Sequence, residues 1–136
     1  MVLVLLRGVC FAALFTGCSL GPSASDKAEA GLIARAIDVL RDAPNAQKGE
    51  LLDALKAATC TAPDLCELQK QCIDGFGQHV AALNETERAK GLLKSGGSDT
   101  EAAQVLDYAR KELTEAAPKI AKCADAEGAA KRKYKP

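Results

Sequence analysis

Tryptophan is absent from the sequence, and aromatic residues of every kind make up only 4% of its 136 positions. A core of stacked rings is therefore excluded, and the interior has to be built from Leu, Ile, Val and Ala. Each of these buries less area than an aromatic ring, so the core is thin and a covalent staple adds proportionately more. Long runs of alternating apolar and polar residues are missing as well, and Val, Ile, Thr and aromatics never cluster as they do in strands. The helical period recurs instead, in a chain rich in Ala, Leu, Lys and Glu. Charge of one sign is not in excess either, since 18 basic residues face 18 acidic ones. A nucleic-acid binder usually carries a basic surplus, so no nucleic-acid partner is expected.

Catalytic signatures are equally scarce. One histidine, His79, serves the whole chain. No CxxC, CxxCH, P-loop, dinucleotide fingerprint or nucleophile elbow occurs. Phe76 stands three residues before His79, where a di-iron bundle would place Glu. Glu112 and Glu115 read as a solvated face beside Arg110, Lys111 and Lys119. An enzyme is not expected, nor a cofactor or metal. Phe76 and His79 are the candidate ligand contact, and a periplasmic ligand- or metal-binding bundle is the alternative reading. A lone histidine without a companion motif is more often a boundary residue with its ring packed and its tip in water.

What is present begins with "MVLVLLRGVCFAALFTGCSLGPSASD". Residues 1–17 are apolar apart from Arg7 and Thr16, too short a run for a membrane span of about 20 residues. A positive residue, an apolar stretch and small residues before a Gly-Pro-Ser break describe an export signal. The segment "LFTGC" resembles the lipobox of bacterial lipoprotein precursors, with Phe15, Thr16 and Gly17 ahead of Cys18. The resemblance covers residues 1 to about 25 only. It implies cleavage before Cys18, acylation of that cysteine, and a membrane partner reached through the lipid. Ser19, where a retention signal would place Asp, implies delivery to the outer membrane of a Gram-negative envelope, facing the periplasm. The implied organisation is a signal peptide at 1–17, a flexible linker at 18–25, a helical bundle at 26–128 and a basic disordered tail at 129–136. The tail "KRKYKP" can meet anionic lipid headgroups or an acidic partner, with Tyr134 at the interface, but four charges are marginal and a frayed end is favoured.

The bundle reads as all-α, up-down, with about four helices. Helix one spans Ser25 to Arg41 with Leu32, Ile33, Ala36, Ile37 and Leu40 inward. Pro44 ends it, and Asn45 caps a second helix to Thr59 with Leu51, Leu52, Leu55 and Ala58 inward. Thr61 caps a long third helix to Lys94, with Leu65, Leu68, Cys72, Phe76, Val80 and Leu83 as its stripe. Gly75 and Gly77 allow close packing or a slight bend. After "SGGS", a capping box at Ser98 opens helix four, with Val105, Leu106, Ala109, Leu113, Ala116, Ile120 and Cys123 as its stripe and a kink at Pro118. Helices three and four form a long antiparallel hairpin, and helices one and two pack on its lower half.

Four cysteines remain once Cys10 falls in the signal and Cys18 in the lipobox: Cys60, Cys66, Cys72 and Cys123. An even count in an exported chain argues for disulfides, and four cysteines allow three pairings. The hairpin supplies a geometric criterion. Counted outward from the turn at 95–98, Cys72 and Cys123 lie within about one residue's rise of the same level. Cys66 is displaced from Cys123 by about 6 Å along the axis, nearly the whole Cα separation a disulfide tolerates. Cys72–Cys123 and Cys60–Cys66 are therefore the expected pairs. Spacings of six residues do not suit a zinc site, and Cys66 and Cys72 face apart on one helix. The role expected from these features is a small, non-enzymatic envelope lipoprotein that scaffolds or binds an envelope protein.

Overall fold

A computed structural model describes residues 21–135, and these form a helical bundle without strands among the described residues. Helix α1 spans Ala24–Asp42. A single 3-10 turn at Asn45–Gln47 leads into α2, Lys48–Ala57. The two long helices are α3, Pro63–Lys94, and α4, Asp99–Lys133. The signal region, Cys10 and Cys18 lie outside the described residues.

Helix α1 starts earlier than the 18–25 linker allows. The Ser23 hydroxyl accepts from the Asp26 N–H at 3.0 Å, and the Asp26 carboxylate accepts from the Ser23 N–H at 3.0 Å. This reciprocal capping box satisfies two donors at the helix start. The inward face is Ala30, Ile33, Ile37 and Leu40, whereas Leu32 is 66% exposed. Leu32 sits about 100° round the axis from Ile33, outside the stripe that meets the bundle. At the other end, the Lys48 ammonium donates to the carbonyls of Leu40 at 2.9 Å and Arg41 at 2.8 Å. A buried lysine thus closes α1 and fixes the corner to α2. Asn45 makes no side-chain cap.

Thr61 does not cap α3; Ala62 occupies that position. Thr61 is taken by Glu29 of α1, whose carboxylate accepts from the Thr61 N–H at 2.7 Å, its hydroxyl at 2.5 Å and the Ala62 N–H at 3.2 Å. A carboxylate from a neighbouring helix thus pins the two residues that lead into α3, and these bonds hold the Glu29 pKa below its ordinary value. Gln69 performs a similar task inside, donating to the Leu55 and Ala58 carbonyls at 2.7 and 2.6 Å where α2 ends.

The hairpin turn is set by glycine. The Gly97 N–H donates to the Leu92 carbonyl at 2.8 Å and the Gly96 N–H to Leu93 at 3.4 Å. Gly96 has φ 74°, the left-handed conformation that ends a helix this way. Ser98 then caps α4, accepting from the Glu101 N–H at 3.5 Å. Helix α4 runs through Pro118 without interruption.

Between α3 and α4 the seam is narrower than the large-residue stripe suggests. Besides Phe76 and Val105, its buried positions past Cys72 are Gly75, Ala82 and Ala89 on α3 and Ala102, Ala109, Ala116 and Cys123 on α4. Both sets recur every seven residues, the period of two helices wound closely together. A Cβ on Gly75 would lie 2.9 Å from the Ile120 nitrogen and 3.0 Å from the Lys119 carbonyl carbon. Backbones this close leave no room for leucine on the seam. Leu106 and Leu113 are each 38% exposed, and Val80 and Leu83 are half-buried flanks. The larger side chains collect lower down, where Ile33, Ile37, Leu40, Leu52, Leu55, Leu65, Leu68 and Phe76 make the main core.

The tail is the largest departure from expectation. Residues up to Lys133 are helical, and Tyr134 is 7% exposed in the core. Among the described residues no helix is long and apolar enough to cross a membrane.

Candidate functional site

The end of the bundle where α4 finishes carries the densest polar chemistry. Glu127 is 3% exposed and lies between two cations. Arg41 of α1 donates to it, and Lys131 pairs with it at 2.6 Å. Lys131 also reaches Asp38 at 3.0 Å, and Arg41 reaches Asp38 at 2.7 Å. The four groups form a closed network joining α1 to α4. Lys131 and then burial dominate the Asp38 carboxyl, whose pKa is lowered overall; the Glu127 carboxylate raises that of Arg41.

One turn further on, Lys133 pairs with Asp64 at 2.7 Å and the Tyr134 hydroxyl donates to Asp64 at 2.7 Å. Asp64 belongs to the first turn of α3, where a carboxylate is favoured by the helix dipole. Lys133 foremost, then Tyr134, hold its pKa below the usual aspartate value. Basic residues near the end of α4 suit its negative pole as well. Partners on α1 and α3 therefore order the "KRKY" stretch that local charge density alone would leave frayed.

Both disulfides are in place. Cys72 and Cys123 join α3 to α4 with a Cα separation of 4.7 Å, and Cys60 and Cys66 bridge the α2–α3 corner at 5.3 Å. Phe76 is 3% exposed within the main core. His79 is half-buried, and burial foremost, then the Lys48 ammonium, lower its pKa. Neither residue lines the apolar groove between α1 and α4 or the polar hollow at the 45–49 corner. No cluster of three His, Cys, Asp or Glu residues arranged to hold a metal is found among the described residues.

An apolar groove of about 410 Å³ lies between the start of α1 and the end of α4. Ala30, Gly31 and Ala34 form one wall, Ala130 and Tyr134 the other, and Lys27, Lys131 and Lys135 stand at its margin. A Cβ added at Gly31 would meet nothing within 4 Å. Because Asp64 holds the Tyr134 hydroxyl, the ring that walls the groove is fixed. A more polar hollow of about 460 Å³ lies between the 45–49 corner and residues 80–90 of α3.

Sequence reading missed Glu29, Lys48 and Glu127. Glu127 alone had a local signal, its four-residue spacing to Lys131. Glu29 and Lys48 act across chain separations that no local pattern encodes. No family model, no curated protein and no solved structure matches this chain.

Proposed function

We propose that this protein is a non-enzymatic bacterial envelope lipoprotein, tethered through acylated Cys18 and acting as a small helical scaffold or partner-binding module facing the periplasm. The observation that carries this reading is the position of "LFTGC" relative to the folded domain. Cys18 falls after the apolar segment and only a few residues before the Ser23 cap of α1. Cleavage there would remove the apolar segment and leave the domain intact on a short tether. Pairing of all four downstream cysteines suits an oxidising compartment such as the periplasm. Several acyl chains on one residue would anchor the chain durably, since a single chain gives only marginal membrane binding. Ser19 after the cysteine favours the outer membrane as destination.

Mass spectrometry of the chain purified from bacterial membranes tests the proposal. The expected product begins at Cys18 and carries acyl chains, and Cys18→Ala yields an unacylated chain. A mature chain beginning elsewhere, or Cys18 recovered as a free thiol, refutes it. Membrane fractionation of the same cells reads the destination.

A further inference from the structure

We propose that the groove between α1 and the end of α4 seats an acyl chain of an anionic phospholipid, with Lys27 and Lys135 holding the phosphate headgroup. Three observations carry this. First, the groove is built for a hydrocarbon chain. Its walls are small apolar side chains and one immobilised ring, and its volume falls in the range of small-molecule sites, about 300–1,000 Å³. Second, the charge at its mouth is unspent. Lys131 is neutralised by Asp38 and Glu127, but among the described residues neither Lys27 nor Lys135 pairs with a carboxylate. The nearest acid in sequence to Lys27 is Asp26, whose carboxylate is engaged in capping α1. Two unpaired ammonium groups over an apolar slot fit a phosphate with a chain beneath it. Third, the chain enters the fold beside this groove, at Ser23, about one turn before Lys27. Five residues separate Cys18 from Ala24, so the tether from one to the other spans at most about 22 Å. The supply of lipid at this end rests on the lipoprotein reading; the binding chemistry does not.

Phosphatidylglycerol and phosphatidylcholine bearing the same photoreactive acyl chain, in otherwise identical vesicles holding the full chain, provide the test. The expected result is labelling of the peptides containing Gly31, Ala34 and Ala130, stronger for phosphatidylglycerol by about fivefold for each contributing lysine. Gly31→Leu fills open space on an exposed helical position, so the bundle should keep its circular dichroism and melting while labelling falls. Lys27→Glu with Lys135→Glu should erase the preference between the two lipids. Equal labelling by both lipids, labelling confined to the hairpin, or no effect of Gly31→Leu overturns the proposal. So does a cross-link joining the grooves of two copies in place of lipid. The Cys18→Ala chain, added to the same vesicles, separates the two readings. Groove labelling that survives in a chain whose wild type proves unacylated sinks the lipoprotein reading alone, and an acylated wild type with an unlabelled groove sinks this one alone.

Discussion

Replacing Gly91 with alanine should stabilise the fold, whereas replacing Gly75 with alanine should leave stability unchanged or lower it. Both glycines lie inside α3, so both substitutions gain the same helix propensity, about 1 kcal/mol. Around Gly91 an added Cβ meets nothing within 4 Å, so that gain should appear in full. At Gly75 the Cβ would lie 2.9 Å from the Ile120 nitrogen, 3.0 Å from the Lys119 carbonyl carbon and 3.2 Å from Ile120 Cγ1. Two of these three atoms are backbone and cannot swing aside, and the Cys72–Cys123 bond one turn away holds the helices together. Overpacking of this kind costs about 1–3 kcal/mol. The difference between the two variants cancels propensity and isolates the close approach, so about 1–3 kcal/mol should separate them. In thermal unfolding that corresponds to about 3–6 °C per kcal/mol for a domain of this size. Guanidinium unfolding with both disulfides intact is the better assay, because midpoints can be compared at constant slope. Equal stabilisation by both substitutions would show that α3 and α4 are not in backbone contact at residue 75, and the small-residue seam would have to be abandoned.

Removing Cys72–Cys123 by a double alanine substitution should cost about 4 kcal/mol in the chain-entropy account, against about 2 kcal/mol for Cys60–Cys66, because the closed loops differ so much in length. Denaturant midpoints give the ranking, with non-reducing peptide mapping to confirm the pairs in the parent; the reverse order would refute it. Lys48→Met should cost about 1–3 kcal/mol, since it strips the donor from the Leu40 and Arg41 carbonyls at a buried corner. A cost no larger than that of Lys90→Met, on an exposed face, would count against this. Glu29, Asp38 and Asp64 all have folded pKa values below their unfolded ones. Their contribution is therefore complete above the unfolded values and lost as pH falls through the lower folded ones, so the melting temperature should drop below about pH 4. Lys131 and Lys133 are raised, so their share is complete below the ordinary lysine value and lost as pH climbs past it. Asp64→Asn should shallow the acid limb; an unchanged limb would mean that the Asp64 clamp on Lys133 and Tyr134 contributes nothing.

Much of the architecture follows from patterns that act over a few residues. Helical periodicity, glycines at the 95–98 turn and the absence of strand-forming clusters are local properties, and they determine four helices with a long hairpin. Hairpin geometry then converts residue number into height along the axis, which is why residue number alone sets Cys72 and Cys123 at the same level. The same reasoning could not choose the face of contact. Leucines at 106 and 113 look like core by hydrophobicity, but helices that approach through Gly75, Ala82 and Ala109 exclude them, and how closely two backbones pack is a property of the pair. A seven-residue recurrence of small residues was the available signal. The order of the C-terminal stretch was likewise decided in three dimensions. Its charges repel one another in sequence, whereas the folded chain sets Asp38 and Glu127 against Lys131 and sets Asp64 against Lys133 and Tyr134. Local propensity determined which segments are helical; only packing decided which side chains face inward, which carboxylate reaches the start of α3, and that a groove opens between the first helix and the last.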